Sequence, residues 1–164
     1  GGGEEFIVLE GTFQDEHGDY PAGTYVRNPP TTHHIPRSDN GCTIFVKLWQ
    51  FDAADRTQFH VDMNTLPLLP VSPGIAEGTL HSDERERVVM QQWEPKSRAV
   101  LGDAGGAELL VLEGSLQIAN KTYERHDWLR LPKADQADAT AGPDGARLWL
   151  KTGHLDHVRV PEAA

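Results

Sequence analysis

With 164 residues, 38% hydrophobic and 24% charged, the sequence belongs with globular proteins of one domain or two small ones, not with disordered chains. A formal net charge of -10 without any Lys/Arg-rich block argues against direct nucleic-acid binding, which relies on cationic side chains displacing phosphate counterions. No apolar stretch approaches the roughly 20 residues that a membrane-spanning helix needs, and the single cysteine, Cys42, allows no internal disulfide, so a reducing cytoplasm is the expected compartment.

Taken in chain order, the sequence predicts strands and turns. Residues 5–10 form a β-rich run expected to stop at Gly11, and residues 15–19 form a polar turn around Gly18. A tight turn at Pro21-Ala22-Gly23 leads into a strand at 24–27, which Asn28-Pro29-Pro30 breaks because proline cannot donate to a ladder. The run at 42–49 is the strongest strand of this half, and its nearly continuous apolar character predicts burial on both faces or at an interface. From Asp52 to Gly78 no period persists; Pro67, Pro70, Pro73 and Gly74 mark a surface connector, with 61–78 separating a first domain at 1–60 from a second at 79–164. The alternating charges at 83–87 predict an exposed strand edge, and a further strand follows at 87–93. No segment carries a helical stripe.

An internal repeat organises the chain. Residues 2–11 align with 105–114, 25–29 with 128–132, and 41–47 with 145–151, in the same order and with similar gaps. Three such blocks imply two copies of one fold.

Within the first copy, six residues separate Glu4 from Gly11, and Gly23, Pro29, Thr31 and His34 follow a Gly-x5-Pro-x-Gly-x2-His pattern with Thr31 in place of its second glycine. These motifs, together with the words around them at 15–23 and 27–30, resemble the cupin superfamily, and most closely the cupin portion of ChrR-type anti-sigma factors. The resemblance implies an all-β fold of two tandem double-stranded β-helix, or jelly-roll, barrels. Cupins hold a divalent metal with a His-x-His pair, the glutamate of the first motif and the histidine of the second. Carried over, that makes Glu4 and His34 metal ligands, with zinc the foremost metal and iron, manganese or nickel left open. The His-x-His pair is expected just upstream of Gly1, on a strand of the same barrel. In the second copy Gly102 and Ala104 occupy the His-x-His places, Ala107 the glutamate and Ala137 the last histidine; that barrel is expected to be degenerate and metal-free.

Other residues read more plainly. His33 belongs on a pocket rim or the surface. His154 and His157, beside Asp156, read as solvated, and His17, His60, His81 and His126 have no partner at informative spacing. Cys42 reads as a small hydrophobe, and Trp49, Trp93, Trp128 and Trp149 as packing residues of the barrels or their junction. Three functions remain open. One is a regulatory or sensory module related to anti-sigma factors, with a sigma factor or small ligand as partner and homo-oligomerisation possible. The second is a metal-dependent, iron-type dioxygenase or other small-molecule enzyme, and the third a ligand-binding or structural cupin without chemistry.

Overall fold

The apolar alternation at 5–10 builds a longer strand than the sequence predicts. In the computed structural model, which describes residues 2–158, β1 spans Glu4–Asp15 and passes through Gly11. Gly11 adopts a φ of 71° next to a β-bulge, where the pairing shifts register between Val8 and Glu10. A Cβ at this position would collide with the Gly41 carbonyl, so glycine bends the strand there instead of ending it.

The described residues divide into two compact units, 2–66 and 67–158. In the first, β2 (Gly18–Pro21) folds back on the second half of β1. The strands β3 (Thr24–Asn28) and β4 (Cys42–Leu48) flank its first half, and β5 (Phe59–Asp62) pairs with β3. Alternate residues point to opposite faces. Phe6, Val8, Phe13, Tyr20 and Val26 therefore make one core, with Cys42 and Ile44 packed at its margin. On the other face Glu5, Tyr25 and Arg27 are buried. There the Tyr25 hydroxyl donates to Glu5 at 2.8 Å, while Arg27 pairs with Asp55 at 2.6 Å and lies over the Phe51 ring.

The second unit contains β6 (Leu69–Ser72), β7 (Ile75–Ser82), β8 (Arg87–Trp93), β9 (Arg98–Gly102), β10 (Ala107–Ile118), β11 (Lys121–Glu124), β12 (Trp128–Leu131) and β13 (Gln136–Thr152). β13 lies between β10 on one side and β8 and β9 on the other, and β7 and β6 extend the sheet beyond β8. The core is mostly aliphatic, with Val89, Leu109, Val111, Leu116 and Leu148 all essentially inaccessible and Trp93 and Tyr123 packed among them.

The repeat seen in sequence recurs in strand register. Glu5 lies opposite Arg27 on one neighbour and Lys47 on the other; Glu108 lies opposite Arg130 and Lys151. A bulge between Val111 and Glu113 matches the one between Val8 and Glu10, and Gly114 has a φ of 68°.

Several expectations need correction. The segment 61–78 is no bare connector, since it completes β5, contains β6 and begins β7; its prolines sit where edge strands and turns tolerate them. β4 is not buried on both faces: its residues are half-buried or exposed, and among the described residues its sheet neighbour is β1. Residues 83–86 turn the β7–β8 hairpin instead of edging a strand, with Asp83 accepting the amides of Arg85 and Glu86. Trp93 and Trp149 are buried whereas Trp49 and Trp128 are exposed, so only two of the four tryptophans pack an interior. His154, expected in solvent, is buried and stands 3.5 Å from Glu108. Among the described residues no helix is long and apolar enough to cross a membrane.

Candidate functional site

The loop joining β3 to β4 carries His34, and β1 holds that loop in place. Pro29 and Pro30 end β3, and Thr32 closes a turn by donating both its amide and its hydroxyl to the Pro29 carbonyl. Thr31 sits inside this turn at a φ of 79°. That left-handed conformation is the physical reason for a glycine in the motif, and Thr31 adopts it at a cost. Farther along, Gln14 and Arg37 exchange backbone hydrogen bonds at 2.9 and 2.8 Å, and Ser38 donates to the Thr12 carbonyl. The loop is thus strapped along the second half of β1, and His34 is laid against it.

His34 bridges two carboxylates. Its Nδ1 is 3.0 Å from Asp15 Oδ2 and its Nε2 is 2.8 Å from Glu4 Oε1, while Phe13 packs beside the ring. Glu4 and Asp15 are the first and last residues of β1. Asp15 is anchored in turn, because its Oδ1 accepts the amides of His17 and Gly18 at 2.8 and 3.1 Å. Burial pushes the Asp15 carboxyl up, but hydrogen bonds from the His17 amide, the His34 ring and the Gly18 amide outweigh it and hold the group below its usual 3.8. An ionised carboxylate only accepts, so Nδ1 carries a proton toward Asp15 and Nε2 is the nitrogen directed at Glu4. On the other side of the carboxylate, burial and then the charge of Asp15 push the Tyr20 hydroxyl up.

A cavity of about 460 Å³ opens beside His34. Asp15, Tyr20, Asn28 and Gln58 contribute polar wall, and Val26 and Phe59 contribute apolar wall. His17, His33 and His60 line it too. His33 was expected at a rim and is exposed there; His17 and His60 carried no signal in sequence, because strand pairing and not spacing brings them to the wall. Glu4 faces a smaller cavity of about 200 Å³, and Asn28 and Thr32 border both. Asn28 donates toward Glu4 and accepts from Gln58, extending the polar line across the strands.

Both sequence-predicted ligands are therefore in direct contact, and Asp15, read from sequence only as part of a turn, is the third member. Their fit to a metal can be tested on this geometry. Two ligands on one tetrahedral ion at zinc distances stand about 3.3 Å apart, so at 2.8 Å Nε2 and Oε1 are in direct hydrogen-bond contact, and a metal between them would have to displace the shared proton and part the two groups. Nitrogen and carboxylate oxygen suit a borderline or hard dication, and an imidazole held by a carboxylate through its other nitrogen is the usual outer support of a metal ligand. The number of donors is smaller than a complete shell: among the described residues no group of three or more His, Cys, Asp or Glu is placed to hold a metal. Glu4 and His34 could supply two ligands of such a site.

The second unit supplies an internal comparison. In the shared register Glu4 corresponds to Ala107, Phe13 to Leu116 and Asp15 to Ile118, and the sequence alignment sets Ala137 against His34. All four counterparts belong to, or pack against, the apolar core. The polar line of the first unit is thus absent from the second.

Comparison with solved structures agrees with this architecture along nearly the whole chain. A protein of Nostoc punctiforme carrying a provisional dioxygenase assignment superposes with a TM-score of 0.75 at 14% identity, covering 99% of this chain and 67% of that one. The cupin 2 conserved barrel domain protein of Leptotrichia buccalis superposes with a TM-score of 0.62 at 11% identity, over 92% and 73% of the two chains. The chain has the cupin fold. A third cupin-like match, the Ylba protein of E. coli, reaches a TM-score of 0.67 at 14% identity, over 99% and 71%. Residues 1–52 match the family model of the ChrR Cupin-like domain, the segment that contains Glu4, Asp15 and His34. No curated protein matches this cupin significantly in sequence.

Proposed function

We propose that the first unit of this cupin binds a divalent metal through Glu4 and His34, with zinc the foremost metal and iron, manganese or nickel the other candidates, and that the protein is a regulatory or sensory module of the ChrR type. The observation that carries the reading is the Asp15–His34–Glu4 line, built at both ends of one strand and replaced by Ile118, Ala137 and Ala107 in the second unit. A bound dication would supply a centre of positive charge and Lewis acidity beside these residues. Asp15 fixes the ring and its tautomer, His34 presents Nε2, and Glu4 supplies a carboxylate oxygen steadied by Asn28. The match of residues 1–52 to a domain named for ChrR supports the regulatory half of the reading. No residue described here carries a contact with a sigma factor, and the proposal does not extend to one.

The test is zinc titration of the chain and of His34→Ala, with metal content measured after gel filtration. Loss of a direct ligand is expected to weaken binding by at least the roughly 10–100-fold seen for outer-shell losses. Equal metal in parent and variant would overturn the assignment.

A small-molecule enzyme is the second reading, favoured by the 460 Å³ cavity beside His34, which is within the size range of ligand sites. Iron-dependent oxygen consumption with a diketone or phenolic ketone, lost in His34→Ala, would decide for it.

A further inference from the structure

The second unit buries an imidazole that the metal reading leaves unused. After β13 the chain turns at Gly153, at a φ of 83°, into a short 3-10 helix at His154–His157. The Gly153 amide donates to the Gly106 carbonyl and the Leu155 amide to the Gly105 carbonyl, both at 3.0 Å. On the outside Lys133 pairs with Asp156 at 2.7 Å. The turn is thus folded back over the start of β10, and His154 is only 5% exposed.

There His154 meets charges that are already paired. Register sets Glu108 between Arg130 and Lys151. Glu108 takes Arg130 at 2.6 Å, Glu86 takes Lys151 at 2.8 Å, and Glu86, Glu108 and Lys151 are all buried. The β7–β8 hairpin closes the other side: the Arg85 carbonyl lies 3.0 Å from where Gly153 would carry a Cβ, and His81 pairs with Asp83 within that hairpin. His154 Nε2 stands 3.5 Å from Glu108 Oε2, well beyond the roughly 2.7–2.9 Å of a charge-assisted bond. Neither ring nitrogen has a hydrogen-bond partner among the described residues. A proton taken up here adds a third cation beside Arg130 and Lys151, and a second buried N–H without an acceptor.

The first unit holds a counterpart that cannot titrate. Extending the aligned blocks 41–47 and 145–151 by three residues sets Trp49 against Gly153 and Gln50 against His154. Structure agrees, because the Trp49 amide donates to the Gly3 carbonyl as that of Gly153 does to Gly106, and Trp49 shares the left-handed turn at a φ of 67°. The side-chain amide of Gln50 is also buried without a hydrogen-bond partner. One position of the repeat therefore carries an amide in one copy and a titratable ring in the other.

We propose that His154 is a proton-operated catch: neutral, it lets the turn at 154–157 close over Glu108, and protonated, it leaves the buried cluster and releases the turn. Lys133 holds Asp156 below its usual 3.8, so the outer ion pair persists while the catch opens. His157 on the turn and His81 on the hairpin are the other imidazoles nearby. The catch involves neither Glu4 nor His34 and stands or falls apart from the metal reading.

The test is residue-resolved amide exchange of the whole chain from about pH 8 to about pH 5, read as protection factors so that the intrinsic pH dependence of exchange cancels. The Gly153 and Leu155 amides are expected to lose protection about 10-fold or more on acidification, in step with the titration of the His154 ring resonance. His154→Gln, which copies the first unit, is expected to keep both amides equally protected across the range. His154→Phe, a ring that cannot titrate, serves the same purpose if glutamine is not tolerated. His157→Gln and His81→Gln are expected to respond as the parent does. Protection that stays constant or rises on acidification in the parent would overturn the proposal, as would a loss that survives in the His154 variants.

Discussion

Asp15→Asn is the sharpest test of how the site is held. Asp15 accepts three hydrogen bonds on two oxygens, from the His17 amide at 2.8 Å, the Gly18 amide at 3.1 Å and the His34 ring at 3.0 Å. Asparagine has the same shape but one acceptor oxygen. If that oxygen stays in the turn, its amino group faces the Nδ1 proton and the ring loses its anchor. Hydrogen bonds to a charged group contribute about 1.5–3 kcal/mol, so the variant should lose roughly 2 kcal/mol of stability in urea denaturation. In competition against a chromogenic chelator, zinc affinity should fall about 10–100-fold, the usual effect of removing the carboxylate behind a histidine ligand. An Asp15→Asn protein that binds zinc as tightly as the parent, while His34→Ala does not, would refute the claim that Asp15 orients the ligand. The same carboxyl implies an acid limb. Its folded value lies below 3.8, so its contribution to stability is complete above about pH 4 and is lost as pH falls through that folded value. The limb should be shallower in Asp15→Asn.

Other outcomes are expected from single positions. Thr31→Gly relieves a left-handed threonine at φ 79° and should raise the urea midpoint, by at most about 1 kcal/mol once glycine's extra chain entropy is counted. Gly11→Ala and Gly114→Ala each place a Cβ against a backbone carbonyl, that of Gly41 and Gly145 respectively. Both should destabilise by about 2–4 kcal/mol in thermal melts, and similar losses at the two sites would reflect the shared bulge. Ala137→His should add no zinc by elemental analysis, because Ala107 and Ile118 beside the same core offer no donor.

The duplicated register was legible because it rests on residue identity at fixed spacing, whereas the association of Glu4 with His34 was implied by the resemblance to cupin motifs. Gly11 and Gly114 occupy the same place in aligned blocks, and structure gives them the same left-handed turn. Asp15 was not legible as a site residue, since a turn aspartate before His17 and Gly18 is fully explained by its own amide bonds. Its second role depends on a loop that the Gln14–Arg37 bridge and the Ser38–Thr12 hydrogen bond bring alongside. His17 and His60 reach the cavity for a similar reason, through pairing of β1 with β2 and of β3 with β5. The strands within 61–78 were missed because a proline-rich segment was read by composition, whereas β5 and β6 are short and lie at sheet edges.

The duplication also bears on how the chain finds its fold. Two segments with the same strand pattern and the same bulge can be exchanged during folding, with β1 taking the place of β10 between β12 and β13. Such an exchange would carry Glu4 and Asp15 into the positions of Ala107 and Ile118, inside an aliphatic core. Stranding a carboxylate there costs several kcal/mol. Misassembly is thereby disfavoured by the same two acids that hold His34, so they also serve as an address that keeps each copy of the repeat in its own half of the molecule.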